Sequence, residues 1–255
     1  RDIPTVGVIN HDEKRKIYEI AWPMGVVAAL TPSTNPTSTV MFKTLIAVKA
    51  RNGIVIAPHP AAAKCCGETA RLMAEAGERA GMPHGLVACM SHVTLPGTQE
   101  LMRHRYIALI LATGGSDMVR AAHSVGKPAY GVGPGNVPVY VDRSADLRRA
   151  ARYIVASKAF DHSVICATEQ SVVADRPIAG QLAELMQAEG AYFVDEAQAK
   201  ALGALLFSSG HLINPKAVGK SPQQLAQMSG ITVPASARIL VARLATVGRE
   251  EPLAC

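Results

Sequence analysis

Little in this sequence of 255 residues is typical of a membrane, secreted or metal-binding protein. No apolar run reaches the roughly 20 residues that a membrane-spanning helix needs, and residues 1–4 lack the charged-then-apolar order of a secretion signal. The five cysteines include no CxxC pair, and their odd number does not suggest a disulfide framework. These absences predict a soluble, cytoplasmic protein with reduced thiols, without membrane association and without a metal site.

Aromatic residues are also scarce, at 4% of the chain, whereas 49% of the residues are hydrophobic. This composition is typical of an ordinary globular protein with an aliphatic core. The net charge of +6 would suit an anionic partner such as a dinucleotide, coenzyme A or a nucleic acid. A nucleic acid is disfavoured, because neither a stacking pattern of aromatic residues nor a recognised motif is present. The basic residues at 143–158 follow helical spacing, which favours a solvated helix face.

Strand-like runs alternate with helical patterns in the first half of the chain. Residues 107–112 are all apolar, as expected for a strand covered by helices on both sides of a parallel sheet, and a helical pattern follows at 117–125. The same order of strand and helix is predicted at 25–30 and 39–51, at 53–57 and 61–80, and at 86–90 and 97–104. The sequence therefore predicts the α/β class, with a doubly wound, Rossmann-like parallel sheet.

A second α/β domain is predicted after residue 142, so that the chain divides into 1–142 and 143–255. Its predicted elements are helices at 144–160, 178–189 and 196–207 and strands at 170–174 and 238–242. Cys166 lies between the first of these helices and the first of these strands.

Three loops of the first domain have residues that could bind a ligand. Segment 31–39 is rich in hydroxyl and amide side chains, so it could cap the next helix or donate hydrogen bonds to an anion or a carbonyl oxygen. Gly114 and Gly115 are equally consistent with a phosphate-binding turn and with a simple turn. The three glycines of 131–135 could pack against a flat ring or against a neighbouring loop. The residues alone leave each pair of alternatives open.

Cys166 lies outside the helical pattern, among small and apolar residues. A thiol with the ordinary pKa of about 8.5 is only a few per cent thiolate at neutral pH, and the local sequence has no evident base. On its residues alone, Cys166 is therefore interpreted as an inert cysteine, as are Cys65, Cys66 and Cys89.

Taken in order, these segments resemble the CoA-acylating branch of the aldehyde dehydrogenase superfamily, and especially the aldehyde dehydrogenase half of bifunctional aldehyde–alcohol dehydrogenases. The resemblance extends from about Tyr18 to the end of the chain. It rests on the segments 34–39, 57–60, 111–115, 126–129, 131–136 and 164–170. It reverses the interpretation of Cys166, which aligns with the family's catalytic cysteine.

The resemblance implies that Cys166 attacks the carbonyl carbon of a short-chain aldehyde, acetaldehyde foremost. The side-chain amide of Asn35 and the backbone amide of Cys166 would hold the oxyanion, and hydride would pass to NAD. Coenzyme A would then release acyl-CoA from a thioester on Cys166. Residues 1–142 would bind the dinucleotide, and 143–255 would form the catalytic domain. The residues implied to lie along the dinucleotide are Leu30, Thr31, Pro32, Ser33, Thr34, Asn35, His59, Gly115 and Gly133.

Two departures from the superfamily pattern affect these expectations. Hydrolytic members have a glutamate that activates water where this chain has Gly131, so the resemblance favours acyl transfer over hydrolysis. Other members have a lysine and a glutamate near the adenosine ribose, where this chain has His59. His59 could contact the ribose or cap the following helix. NAD is therefore the family expectation, and NADP stays open.

Several alternatives remain at this point. They are an acylating enzyme for another small aldehyde such as sulfoacetaldehyde or propionaldehyde, a hydrolytic aldehyde dehydrogenase, and a nucleotide-binding scaffold module without turnover. A homo-oligomer is also expected, with association into a filament or a microcompartment left open. Because relatives extend beyond both ends of this chain, we expect both domains to be incomplete.

Overall fold

The computed structural model describes residues 2–209, 212–248 and 251–254. The chain forms two compact units, Arg1–Pro134 and Gly135–Cys255. The boundary that the sequence predicts, after residue 142, lies one strand further along the chain and stays a prediction. No helix among the described residues is both long and apolar enough to cross a membrane.

The first unit contains a five-stranded parallel sheet, preceded by an antiparallel hairpin of β1 (Gly7–Asp12) and β2 (Ile17–Ala21). The strands of the sheet are β3 (Val26–Thr31), β4 (Gly53–Pro58), β5 (Val87–Cys89), β6 (Ile107–Thr113) and β7 (Ala129–Val132). Their order across the sheet is β5-β4-β3-β6-β7. The helices of this unit are α1 (Pro36–Lys49), α2 (Ala63–Arg79), α3 (Leu95–Arg103) and α4 (Ser116–His123). The predicted doubly wound parallel sheet is confirmed.

Strand β3 is the centre of the sheet, and both of its faces are buried. Val27 and Ala29 pack into one core cluster with residues of α1 and α2. Ala28 and Leu30 point to the opposite face and pack into a second cluster with residues of α3 and α4. The alternation follows from the two-residue period of a strand, and helices on both faces explain why every position of β3 after Val26 is buried.

The second unit alternates short strands and helices. Its elements are β8 (Pro138–Val141), α5 (Leu147–Ala159), β9 (Ser171–Ala174), α6 (Arg176–Ala188), β10 (Ala191–Val194), α7 (Glu196–Leu206), β11 (Phe207–Ser209), β12 (Leu212–Ile213), α8 (Pro222–Ser229) and β13 (Ile239–Ala242). Strand β8 pairs with β9 and β10 pairs with β13, both in parallel, whereas β11 and β12 are antiparallel. These pairings confirm the α/β class for this half of the chain.

Helix α5 begins at Asp146, whose carboxylate accepts a hydrogen bond from the backbone N–H of Arg149 at 3.1 Å. This is the usual role of an N-cap aspartate. The buried side of the helix, with Ala151, Ile154 and Val155, packs into the core of the unit. The arginines of the helix are exposed, as the helical spacing of the basic residues predicts, and Lys158 departs from that pattern because it is half-buried.

Candidate active site

The candidate cofactor site lies at the carboxyl edge of the parallel sheet. From β3 the chain proceeds outward through β4 and β5 on one side, and through β6 and β7 on the other. The gap between β3 and β6 is therefore the point where the strand order reverses, which is where ligands bind in open α/β sheets. In register, Thr31 lies beside Pro58 and Leu30 beside Ala112, so the loops that follow these strands share one edge.

The predicted cofactor residues of the first unit come together at this edge because each lies at or just after the end of a strand. Leu30 and Thr31 end β3 and are buried, at 2% and 4% exposure. The remaining members follow β3, β4, β6 and β7 and are Pro32, Ser33, Thr34, Asn35, His59, Gly115 and Gly133. Contact of these residues with a dinucleotide stays a prediction.

Asn35 occupies the N-cap position of α1, yet its side chain makes no capping hydrogen bond. Its carbonyl oxygen accepts hydrogen bonds from the hydroxyls of Ser38 and Thr39, at 3.2 and 2.7 Å. Its side-chain oxygen accepts one from Thr34 Oγ1 at 3.3 Å. Within the described residues the side-chain N–H groups of Asn35 have no acceptor. Helix capping therefore does not account for this side chain, whose amide can donate to an oxyanion.

His59 caps the short 3₁₀ turn Pro60–Ala62. Its ring Nδ1 accepts a hydrogen bond from the backbone N–H of Ala61 at 3.2 Å, and the backbone N–H of His59 donates to the carbonyl of Thr31 at 3.0 Å. The structure therefore shows His59 as a cap, which is one of the two roles that the sequence left open for this residue. The exposed ring keeps Nε2 for a further contact.

Gly115 and Gly131 differ in the space around them. Apart from its chain neighbours, no atom of the described residues lies within 4 Å of the position that a Cβ on Gly115 would occupy, and this residue is the N-cap of α4. A Cβ on Gly131 would lie 2.4 Å from Val119 Cγ1 and 2.9 Å from His123 Nε2. A glutamate at position 131 would therefore require the side chains of Val119 and His123 to move. This close packing disfavours the water-activating carboxylate that the resemblance aligns with Gly131.

Lys43 is a buried cation beneath the same edge, and the sequence predictions did not include it. Its side chain is 3% exposed. The ammonium donates hydrogen bonds to the carbonyl oxygens of Leu30 and Leu111, at 2.6 and 2.8 Å. It thus joins the ends of β3 and β6 at the reversal point. Burial lowers the pKa of Lys43 to about 7. In the sequence, the signal for Lys43 was a single charge inside the otherwise mostly apolar stretch 40–48.

Cys166 belongs to the second unit and has an exposed thiol. Three consecutive residues before it, Asp161, His162 and Ser163, have φ values of 49°, 48° and 65°. Left-handed backbone costs an ordinary L-residue about 1–2 kcal/mol. The tight turn that results connects the end of α5 to the Cys166 segment.

The segment around Cys166 is held by hydrogen bonds on both sides. The Ser163 hydroxyl donates to the carbonyl of Lys158 at 2.6 Å, and the Thr168 hydroxyl donates to the carbonyl of Ile165 at 3.0 Å. The backbone N–H of Gln170 donates to the carbonyl of Val137 at 3.0 Å. An exposed thiol on an anchored segment is accessible to a substrate, which is one condition for a nucleophile.

Two other described cysteines, Cys66 and Cys89, are less exposed than Cys166. Cys66 is fully buried, and burial raises its pKa. Burial also raises the pKa of Cys89 to about 11. Both are poor nucleophiles at neutral pH, since the thiolate is the reactive form. Cys65 is exposed on α2, where its thiol donates to the carbonyl of Ala62 at 3.2 Å.

A model of the aldehyde dehydrogenase family matches residues 3–206. The chain therefore belongs to the aldehyde dehydrogenase family, and the resemblance to its CoA-acylating branch is confirmed by the relatives that follow.

Aldehyde-alcohol dehydrogenase 2 from Entamoeba histolytica is 43% identical over 261 residues, which cover 99% of this chain and 30% of that protein. The crystal structure of an acetylating aldehyde dehydrogenase from Geobacillus thermoglucosidasius is 50% identical, with a TM-score of 0.91, over 99% of this chain and 56% of that one. A propionaldehyde dehydrogenase from Rhodopseudomonas palustris, solved with bound propionyl-CoA, is 35% identical with a TM-score of 0.81, over 91% and 51% of the two chains. This chain spans about half of the two solved relatives and less of the first.

Proposed function

We propose that the protein oxidises a short-chain aldehyde, acetaldehyde foremost, with NAD as the hydride acceptor and coenzyme A as the acyl acceptor. The observation that carries the proposal is the exposed thiol of Cys166 on its anchored segment, in a chain of this family. The products are acyl-CoA and NADH, with one proton released. Acetylating and propionyl-CoA-binding relatives support this choice of reaction.

In the proposed reaction the thiolate of Cys166 attacks the carbonyl carbon of the aldehyde. The N–H groups of the Asn35 side chain and of the Cys166 backbone stabilise the oxyanion that forms. One such donor contributes roughly 10²–10³ in rate. Loss of hydride from that carbon to the dinucleotide converts the adduct into a thioester. The thiol of coenzyme A then attacks the thioester carbon, and the Cys166 thiolate leaves.

The dinucleotide is proposed to bind at the carboxyl edge of the sheet, with its pyrophosphate at the start of α4. The open space at Gly115 supports this placement, because free N–H groups at a helix start bind phosphate oxygens. NAD is preferred over NADP as the family expectation. The exposed ring of His59 is proposed to contact the adenosine ribose through Nε2.

Propionaldehyde is the second candidate substrate, favoured by the propionyl-CoA bound in the R. palustris relative. Hydrolysis is disfavoured by the close packing around Gly131, and a scaffold without turnover is disfavoured by the exposed Cys166 thiol. We further propose a cytoplasmic homo-oligomer. Exposed apolar side chains on and after the hairpin support an oligomer, among them Tyr18, Ile20 and Trp22 at 59%, 59% and 83% exposure.

The test measures NADH formation by the protein in its full natural length, with acetaldehyde or propionaldehyde, in the presence and absence of coenzyme A. Cys166→Ala is expected to abolish turnover, whereas the matched control Cys65→Ala, at another exposed cysteine, is expected to retain it. NADH formation that is unaffected by coenzyme A would refute acyl transfer. Full activity in Cys166→Ala would refute the assignment of the nucleophile.

A further inference from the structure

Lys158, in the last turn of α5, contacts the chain on both sides of Cys166. Its carbonyl oxygen accepts the hydrogen bond from the Ser163 hydroxyl at 2.6 Å, before the cysteine. Its ammonium donates to Gln170 Oε1 at 2.7 Å, after the cysteine. One residue of a helix anchored in the core therefore fixes both ends of the segment that carries the thiol.

The chain next to Cys166 needs such a restraint. Ser163 is the last of the three residues with left-handed backbone, a conformation that persists only where surrounding contacts enforce it. The bond from Ser163 to Lys158 is one such contact. If the contacts at either end were lost, this turn could relax toward ordinary backbone and the thiol would change position.

The charge of Lys158 also has a counterpart in the same segment. Glu169 has a carboxylate oxygen, Oε2, that is buried and accepts no hydrogen bond within the described residues. Burial lowers the pKa of Lys158, and the negative charge of Glu169 opposes that shift. The two charges therefore interact electrostatically, although they form no ion pair within the described residues. A buried carboxylate oxygen without a hydrogen bond is costly, so the positive charge of Lys158 lowers that cost.

We propose that Lys158 is a positioning residue for Cys166. Its ammonium sets the location of the thiol by holding Gln170 after the cysteine and by acting on the charge of Glu169, whereas its backbone carbonyl accepts from Ser163 before the cysteine. This inference rests on the proposed function of Cys166 as the nucleophile. A displacement of about 1 Å in a reacting group can reduce a rate by about 100-fold, so small movements of this segment would be visible in turnover.

Three variants of the protein in its full natural length test the proposal: Gln170→Ala, Lys158→Met and Lys158→Arg. Gln170 is exposed, so its truncation removes the acceptor without opening the core. The double variant Lys158→Met with Glu169→Gln removes both charges. It provides a folded protein for the test if Lys158→Met alone fails to fold. Arg148→Met, at an exposed position on the same helix, is the control.

We expect kcat to fall roughly 10- to 100-fold in Gln170→Ala and in the folded Lys158→Met forms, with KM for the dinucleotide within about twofold of wild type. Lys158→Arg, which keeps a cationic donor, should recover part of kcat. Alkylation of Cys166 by iodoacetamide should continue in every variant, because the thiol itself is intact.

A kcat in Gln170→Ala equal to that of Arg148→Met would overturn the inference. A parallel change of kcat and dinucleotide KM in all variants would also overturn it, since that result indicates general structural damage. Full activity of Cys166→Ala would instead refute the proposed function. Failure of the inference about Lys158 and failure of the proposed function are therefore distinguishable.

Discussion

Replacing Lys43 by methionine should change how the stability of the first unit depends on pH. The side chain is 3% exposed, and burial lowers its pKa from 10.5 to about 7. Between these values the unfolded chain binds more protons than the folded chain, so the free energy of unfolding rises with pH. The stability is fully present above pH 10.5 and is lost as the pH falls towards 7.

The size of the effect follows from the shift. One pKa unit corresponds to about 1.4 kcal/mol, so the free energy of unfolding should rise by on the order of 2 kcal/mol between about pH 7.5 and about pH 9.5. The neutral amine still has two N–H groups, enough for the carbonyls of Leu30 and Leu111. Deprotonation therefore relieves the buried charge without removing the contacts between β3 and β6.

The assay is urea unfolding at several pH values, followed by far-UV circular dichroism and by hydrogen exchange in peptides of β3 and β6. The quantity of interest is the difference between wild type and Lys43→Met, because other titrating groups are common to both proteins. Lys64→Met, at an exposed lysine of α2, is the control and should follow wild type. A difference between wild type and Lys43→Met that is constant across this pH range would refute the reasoning.

Three further outcomes are expected. Asn35→Ala should lower kcat by roughly 10²–10³, measured as CoA-dependent NADH formation, while Gln181→Ala, at an exposed amide of α6, should not. Gly131→Glu should destabilise the protein by about 1–3 kcal/mol without producing CoA-independent turnover, because the side chain meets Val119; thermal unfolding and the NADH assay check both points. His162→Gly should stabilise the protein by about 1 kcal/mol, seen as a raised Tm, since glycine adopts the left-handed backbone without strain; an unchanged or lower Tm would contradict this.

The fold of the first unit could be predicted from the sequence because its strands are apolar on both faces. Val27 to Leu30 form an unbroken apolar run, and only a sheet covered by helices on both sides buries such a run completely. The position of β3 between β4 and β6 could not be predicted in the same way. Strand order depends on contacts between residues far apart in the chain, and no local pattern encodes it.

The hairpin of β1 and β2 was missed for a different reason. Its side chains are largely exposed, so it has no buried face to produce a clear alternation of apolar and polar residues. The left-handed turn before Cys166 was missed because it contains no glycine. Asp161 and His162 are residue types that adopt this backbone more often than most, which is a weak signal that only the structure makes specific.

The proposed nucleophile could not be identified from local sequence, because the residues adjacent to Cys166 include no evident base that would activate its thiol. The structure separates Cys166 from Cys66 by burial, with Cys66 fully buried and Cys166 exposed. Burial depends on the whole fold, whereas the residues adjacent in sequence determine little of it. The family resemblance implies a catalytic role for Cys166, which stays a prediction, but it says nothing about what anchors the segment around Cys166.

Lys43 and Lys158 share a property that a helical pattern can reveal in advance. Each lies on the side of its helix that packs against the rest of its unit, where a charge is costly unless it has fixed acceptors. Each has two contacts with segments beside predicted site residues: Lys43 at the strand ends before Thr31 and Gly115, and Lys158 at the two ends of the Cys166 segment. In this chain, a lysine on the buried side of a helix therefore indicates a restrained loop. The exposed lysines and arginines are weaker evidence, because their side chains need no fixed acceptors.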